Sequence, residues 1–124
     1  MEFVATPNAP QAIGPYSQAV KHAGLVYTSG QIALTPAGEM TEEDIVKQTH
    51  QVMKNVSAVL EAAGSSLNGV IKTTIFLSDM DNFVTVNEIY AEYFGDHKPA
   101  RATVAVKTLP KNAMIEIDCI AVCK

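Results

Sequence analysis

Two acids and one base sit where apolar residues are expected, and each asks for a chemical reason. Arg101 opens RATVAV, a run of small and β-branched side chains that reads as a strand. Glu116 interrupts MIEIDCIAV, a second such run, and Asp118 follows two residues on. Strand alternation puts Ile115, Ile117, Cys119 and Ala121 on one face and Met114, Glu116, Asp118, Ile120 and Val122 on the other. A carboxylate buried without a partner is costly, so each acid must be paired, hydrogen-bonded or wet. Asp118 fits a stretch of that face that reaches water; for Glu116, water and a site are equally balanced. The arginine fork matches a carboxylate bidentately, so Arg101 either bridges to Glu116 or holds the carboxylate of a ligand. If the two runs formed a simple hairpin around residues 109–113, Arg101 would pair near residue 120. Glu116 would then lie on the order of 13 Å away, which leaves room for a small molecule. The same alternation sets Thr103 and Ala105 beside Arg101 and turns Ala102, Val104 and Val106 toward the core.

Other chemistries find little support. His22, His50 and His97 are scattered, with no HExxH spacing, and no nucleophile elbow is present. Without a GxGxxG or P-loop pattern, no nucleotide cofactor is implied. Cys119 and Cys123 lack the CxxC spacing of a zinc site, and four residues along a strand is roughly 13 Å, beyond the reach of a disulfide. They are read as reduced thiols. Asn87 lies among apolar residues of a helical segment and can simply face solvent.

The elements that must position these residues follow from periodicity. FVAT is a short strand. SQAVKH and LVYTS flank Ala23-Gly24, a hairpin turn that sets His22 against Leu25 and Gln18 against Ser29. Extending this register brings Tyr16 of GPY beside Gln31 and next to Gly30 of SGQ. Ile45, Val52, Met53, Val56, Leu60 and Ala63 recur at helical spacing and predict a helix over 42–63, with Thr41 as N-cap and Gly64 at its end. GVIKTTIFLSD, residues 69–79, reads as a strand with Ile71, Ile75 and Leu77 on one face and Val70 and Phe76 on the other, so both faces are expected to be covered. Asp79 or Asp81 caps a second helix over 82–94, buried through Phe83, Val86, Tyr90, Tyr93 and Phe94. The order is β-β-β-α-β-α-β-β. Two helices cannot cover both faces of a sheet of five or six strands, so one face is left for another copy of the chain.

Composition agrees. The 124 residues are the size of one domain, 1–124, and are 48% hydrophobic but only 18% charged. Soluble domains carry about 25% charge, so an oligomer that buries apolar surface is expected. A net charge of −4 argues against bulk nucleic-acid binding. No apolar run reaches membrane-spanning length, and MEFVATPNAP lacks the features of a signal peptide, which predicts a cytoplasmic protein.

Taken together, AIGPYSQAV, YTSGQIAL, FLSDMDNFVTVNEIYAEYF and PARATVAVKTLPKNAMIEIDCIAV resemble the Rid family, the reactive intermediate deaminases also called YjgF-type proteins. The likeness spans nearly the whole chain. It implies an α+β, chorismate-mutase-like fold with a mixed sheet of about six strands and two helices on one face. It also implies a homotrimer with a barrel core and sites between subunits. Members of the deaminase branch hydrolyse 2-imino acids such as 2-iminobutanoate and 2-iminopropanoate, and their enamine tautomers, to 2-oxo acids and ammonia, without a cofactor. These imines are released by dehydratases acting on serine and threonine, and their removal prevents damage. By resemblance Arg101 matches the clamp for the substrate carboxylate and Glu116 the acid that orients or activates water. Tyr16, Ser29 and Gly30 match pocket-lining positions, and Asn87 a helix residue near the pocket. Thr103 stands where many members carry cysteine, which argues against a cysteine-dependent mechanism here, while its hydroxyl still suits a hydrogen bond to the ligand. A small-carboxylate binding module without turnover, an endoribonuclease or translation inhibitor, and a chaperone-like role remain the alternatives.

Overall fold

The structure, a computed structural model, describes residues 1–123. Strand β1 (Glu2–Val4) pairs with β2 (Ala19–His22), which turns back through Ala23-Gly24 into β3 (Leu25–Thr28). Both turn residues have positive φ, 52° and 81°, as a two-residue type I′ hairpin requires. The predicted register holds: His22 pairs with Leu25, and the Ser29 N–H donates to the Gln18 carbonyl at 2.9 Å.

Helix α1 (Ile45–Ala62) starts later than its apolar spacing suggests. Its N-cap is Asp44, whose carboxylate accepts from the Lys47 N–H at 3.0 Å. Thr41 does not cap it. Met40 bridges to Leu34 and the Thr41 N–H donates to Ala33, so these residues are held in the preceding loop. Val52, Met53, Val56, Val59 and Leu60 fill the core, and so do three polar side chains. Gln48 accepts from the Met114 N–H, Thr49 bonds the Ile45 carbonyl, and Asn55 donates to the carbonyls of Ile32 and Leu34 at 3.1 and 2.8 Å. Buried polar groups persist where they are satisfied; Gln48 and Asn55 staple α1 to the segments at Met114 and at Ile32–Leu34, and Thr49 is satisfied within the helix.

Strand β4 (Val70–Leu77) contains an irregularity. Between Val70 and Lys72 the pairing register shifts, so Ile71 is the extra residue and is exposed, contrary to its predicted core position. The bulge turns Val70 onto the buried face with Thr73, Ile75 and Leu77. A 3-10 turn (Met80–Asn82), capped by Asp79, leads into α2 (Phe83–Phe94), which stops at Gly95 with φ 60°. Val86, Ile89, Tyr90 and Phe94 are its buried positions. Strands β5 (Ala100–Ala105) and β6 (Ile115–Val122) follow.

The sheet runs β1-β2-β3-β6-β4-β5, six strands with both helices on one face. The fold is α+β with a mixed sheet: β5 lies parallel to β4, and every other pairing is antiparallel. Strands β5 and β6 are not neighbours, because β4 lies between them. The β4-α2-β5 crossover, one helix joining two neighbouring strands, returns the chain so that β5 runs parallel to β4, which the hairpin assumption excluded. The face away from the helices bears Phe3, Val20, Tyr27, Phe76, Val104 and Ile120 together with Lys72, Thr74, Glu116 and Asp118. Phe3 is 73% exposed and Tyr27 and Val104 are each 43% exposed. Among the described residues no helix is long and apolar enough to cross a membrane.

Asn55→Ala removes the donor to the Leu34 carbonyl and one of the two donors to the Ile32 carbonyl, which keeps the Leu34 N–H. The free energy of unfolding is expected to fall by about 2–4 kcal/mol, read from urea denaturation.

Candidate functional site

The outward face of β6 meets an interruption in β3. Tyr27 pairs with Ile120, and the next backbone pairing is Gln31 with Ile117. Three residues, Thr28, Ser29 and Gly30, therefore oppose two, Asp118 and Cys119. This is a β-bulge, and it opens a cavity of about 420 Å³ lined by Tyr16, Ser29, Gly30, Gln31, Glu116 and Asp118, among others. Tyr16 comes from the loop before β2. Gln18, 3% exposed, clasps that loop: its amide accepts from the Thr6 N–H and donates to the carbonyls of Thr6 and Pro10. The Ser29 hydroxyl donates to the Ser17 carbonyl at 2.5 Å, which ties the bulge to the same loop.

Gly30 is required for space. A Cβ added to it would stand 2.5 Å from Glu116 Oε2 and 2.7 Å from Glu116 Cδ. The carboxyl thus rests against the glycine backbone. Burial, and then the charge of Asp118, raise the pKa of Glu116 above its ordinary value of 4.5. Burial also raises Asp118, against the opposing effects of Thr74 and the Lys72 cation. A half-buried carboxyl that holds its proton more tightly than usual, beside an open cavity, suits both taking and returning a proton.

Arg101 is elsewhere. In the parallel ladder Arg101 pairs with Thr73 and Thr103 with Ile75, residues that face the helices. Arg101, Thr103 and Ala105 therefore share the helix side, whereas Ala102 and Val104 lie on the open face, the reverse of the expected assignment. The reason is the parallel register, in which paired residues point the same way. Glu116 pairs with Phe76, which is also the partner of Val104. From Arg101 to Glu116 the path is three residues along the ladder and two strands across, roughly 10 Å in each direction, and on opposite faces. No Arg101–Glu116 bridge forms.

Arg101 instead rests on α2. Its Nη1 donates to Asn87 Oδ1 at 2.6 Å, and its guanidinium carbon lies 5.1 Å from the ring centre of Tyr90 and 5.6 Å from that of Phe83. The Tyr90 hydroxyl bonds Thr73 at 2.7 Å. Thr103 Oγ1 is buried with no hydrogen-bond partner among the described residues. The chosen residues thus divide into two groups: Tyr16, Ser29, Gly30 and Glu116 around one cavity, and Asn87, Arg101 and Thr103 at the far edge of the sheet. Asp118, assigned from the sequence to solvent, lines the cavity with Glu116; its i, i+2 spacing was the available signal. Phe83 and Tyr90 escaped notice as partners of Arg101, although with Asn87 they stand at i, i+4 and i+7 of one helix.

Two outcomes follow from this geometry. In Gly30→Ala the flexible Glu116 side chain must give way rather than the backbone. The variant is expected to unfold within about 1–2 kcal/mol of the native chain, with its carboxyl turned out of the cavity in a crystal structure. Because the folded chain holds the Glu116 proton more tightly than the unfolded chain, its stability falls as pH rises from the ordinary value through the raised one. Glu116→Gln removes that loss. It should raise the urea midpoint at about pH 7 and leave it nearly unchanged at about pH 4. An equal shift at both would exclude the protonation effect.

The comparisons with known proteins agree on one family. The family model described as Endoribonuclease L-PSP matches residues 6–123. A RutC family protein of Pyrococcus horikoshii is 54% identical over 121 residues, 97% of this chain and 96% of the relative. The 2-iminobutanoate/2-iminopropanoate deaminase of Mus musculus is 47% identical over 122 residues, 98% of this chain and 90% of the relative. A solved structure of a Rid-family protein of unknown function from Yersinia pestis superposes with a TM-score of 0.96 at 50% identity, covering 98% of each chain.

Proposed function

The chain belongs to the Endoribonuclease L-PSP family, which includes the Rid proteins, and we propose that within it this protein hydrolyses 2-iminobutanoate and 2-iminopropanoate to 2-oxo acids and ammonia, as a homotrimer with its sites between subunits. The observation that carries this reading is the division of the matched residues into two incomplete groups on one chain. Glu116 has a cavity, a glycine cradle and a carboxyl that holds its proton more tightly than usual, but no cation for a substrate carboxylate among the described residues that line the cavity. Arg101 has an oriented guanidinium but no acid. A second copy set against the open, partly apolar sheet face would supply each group with the other. Such burial also explains why Tyr27 and Val104 stand in water on the isolated chain. The name of the mouse relative supports the reaction.

The chemistry is then short. Arg101 grips the carboxylate of the imino acid and fixes its orientation. Water adds to C2 of the protonated C=N bond while Glu116 takes one of its protons, and a neutral carbinolamine forms. Glu116 returns that proton to nitrogen, the C–N bond breaks as the carbinolamine hydroxyl gives its own proton to the freed carboxylate, and ammonia and the 2-oxo acid leave. Positioned acid–base groups typically contribute about 10²–10⁴-fold. The ribonuclease in the family's description has less support here, because the chain carries a net charge of −4 and no tryptophan.

The test is the rate of loss of 2-iminobutanoate generated in situ. The native chain should accelerate it, and Arg101→Ala and Glu116→Ala should each lose nearly all of that acceleration. Refolding the two inactive variants together should restore activity at roughly a quarter of the sites, the chance that one interface joins an intact arginine to an intact glutamate. Failure to complement would place both residues in one subunit's site; no acceleration by the native chain would remove the deaminase reading altogether.

A further inference from the structure

We propose that Phe83, Asn87 and Tyr90 are positioning residues that hold the Arg101 guanidinium in one orientation, with its Nε–Nη2 edge presented to a small carboxylate. The inference rests on the reading of Arg101 as the carboxylate clamp and deepens it. It also gives Asn87, matched by resemblance to a helix residue near the pocket, the part of supporting the arginine.

Arginine carries long-chain rotamer freedom, and an exposed one ordinarily samples many conformations. Arg101 is exposed and lies on an edge strand, yet three residues of one helix stripe engage it. Phe83 and Tyr90 lie within cation–π range of its guanidinium carbon, at 5.6 and 5.1 Å, and Asn87 between them accepts from Nη1 at 2.6 Å. An amide oxygen is a neutral acceptor, so it orients the cation without neutralising it. Of the five N–H donors, Asn87 takes one on Nη1, and the opposite edge remains for a bidentate grip.

The cradle is itself anchored. Tyr90 is 7% exposed, and its hydroxyl is tied to Thr73 at 2.7 Å. Thr73 is in turn the ladder partner of Arg101. The contacts close a ring through Arg101, Thr73 and Tyr90, so the distance from strand to helix sets where the guanidinium stands. An apolar stripe packing α2 on the sheet would not require a polar residue at its centre, nor a tyrosine hydroxyl bonded across to β4.

The experiment reads the arginine directly. In the native chain the Arg101 Nε–Hε resonance is expected to be shifted by the two rings. Tyr90→Leu and Asn87→Asp should displace it, and Tyr90→Phe, which keeps the ring, should recover most of the native shift. Binding of the non-reacting 2-oxobutanoate, by calorimetry, should weaken roughly tenfold in Asn87→Asp, where a new carboxylate competes for the guanidinium, and less in Asn87→Ala. Imine turnover should show the loss mainly in KM. Asn87 is exposed, so its variants fold even if Tyr90→Leu does not. A native resonance position in Asn87→Asp and Asn87→Ala, or unchanged 2-oxobutanoate affinity in both, would overturn the proposal. If the native chain neither binds 2-oxobutanoate nor consumes the imine, the clamp reading fails, and the resonance alone still decides whether the cradle orients Arg101.

Discussion

The antiparallel ladder between β4 and β6 is the frame from which both groups of site residues take their positions. It lies at the centre of the sheet, pairs Leu77 with Ile115 at one end and Val70 with Ala121 at the other, and buries Ile75, Leu77, Ile115 and Ile117 almost completely against the helices. Because one face is dry, β6 cannot slip by one residue against β4 without turning Ile115 and Ile117 into water. The same restriction fixes which way Glu116 and Asp118 point. The acids are on the open face because Ile115 and Ile117, which alternate with them, are not.

Function-bearing geometry then arises where the sheet is irregular or ends. The extra residue in β3 opposite Asp118 and Cys119 opens a cavity that a regular ladder would fill with paired backbone, and it brings Gly30 against the Glu116 carboxyl. Burial and a neighbouring acid make that carboxyl hold its proton more tightly than in water. At the other extreme, β5 is an edge strand, so Arg101 can reach past the sheet to α2 while staying open to water. One chain thus separates an acid with a cavity from a cation with a cradle.

Several features were legible in the sequence because they depend on neighbours along the chain. The Ala23-Gly24 turn with its register, the burial of Val52, Val56 and Leu60 on α1, and the two faces of β6 are all short-range consequences of periodicity and turn chemistry. Convergence of Tyr16 with Ser29 and Gly30 was readable too, since it follows from extending one hairpin. Thr41 misled because its cap pattern is genuine, but pairing of Met40 with Leu34 competes for the same backbone. Ile71 misled because a bulge inserts one residue and reverses the alternation before it.

The sequence by itself determined the element order, the core stripes, the apolar-against-acidic division of β6 and the family. Each is written in residues close together or in a pattern long enough to compare. Only the tertiary structure decided where Arg101 points and what it touches. Strands β5 and β6 adjoin in sequence, yet β4 lies between them, and the β4-α2-β5 crossover sets β5 parallel to β4. That placement turns Arg101 and Thr103 toward the helix side and gives Arg101 the Phe83, Asn87 and Tyr90 stripe as its support. Spacing along the chain could not report this, because alternation states that two residues share a face but not which face it is.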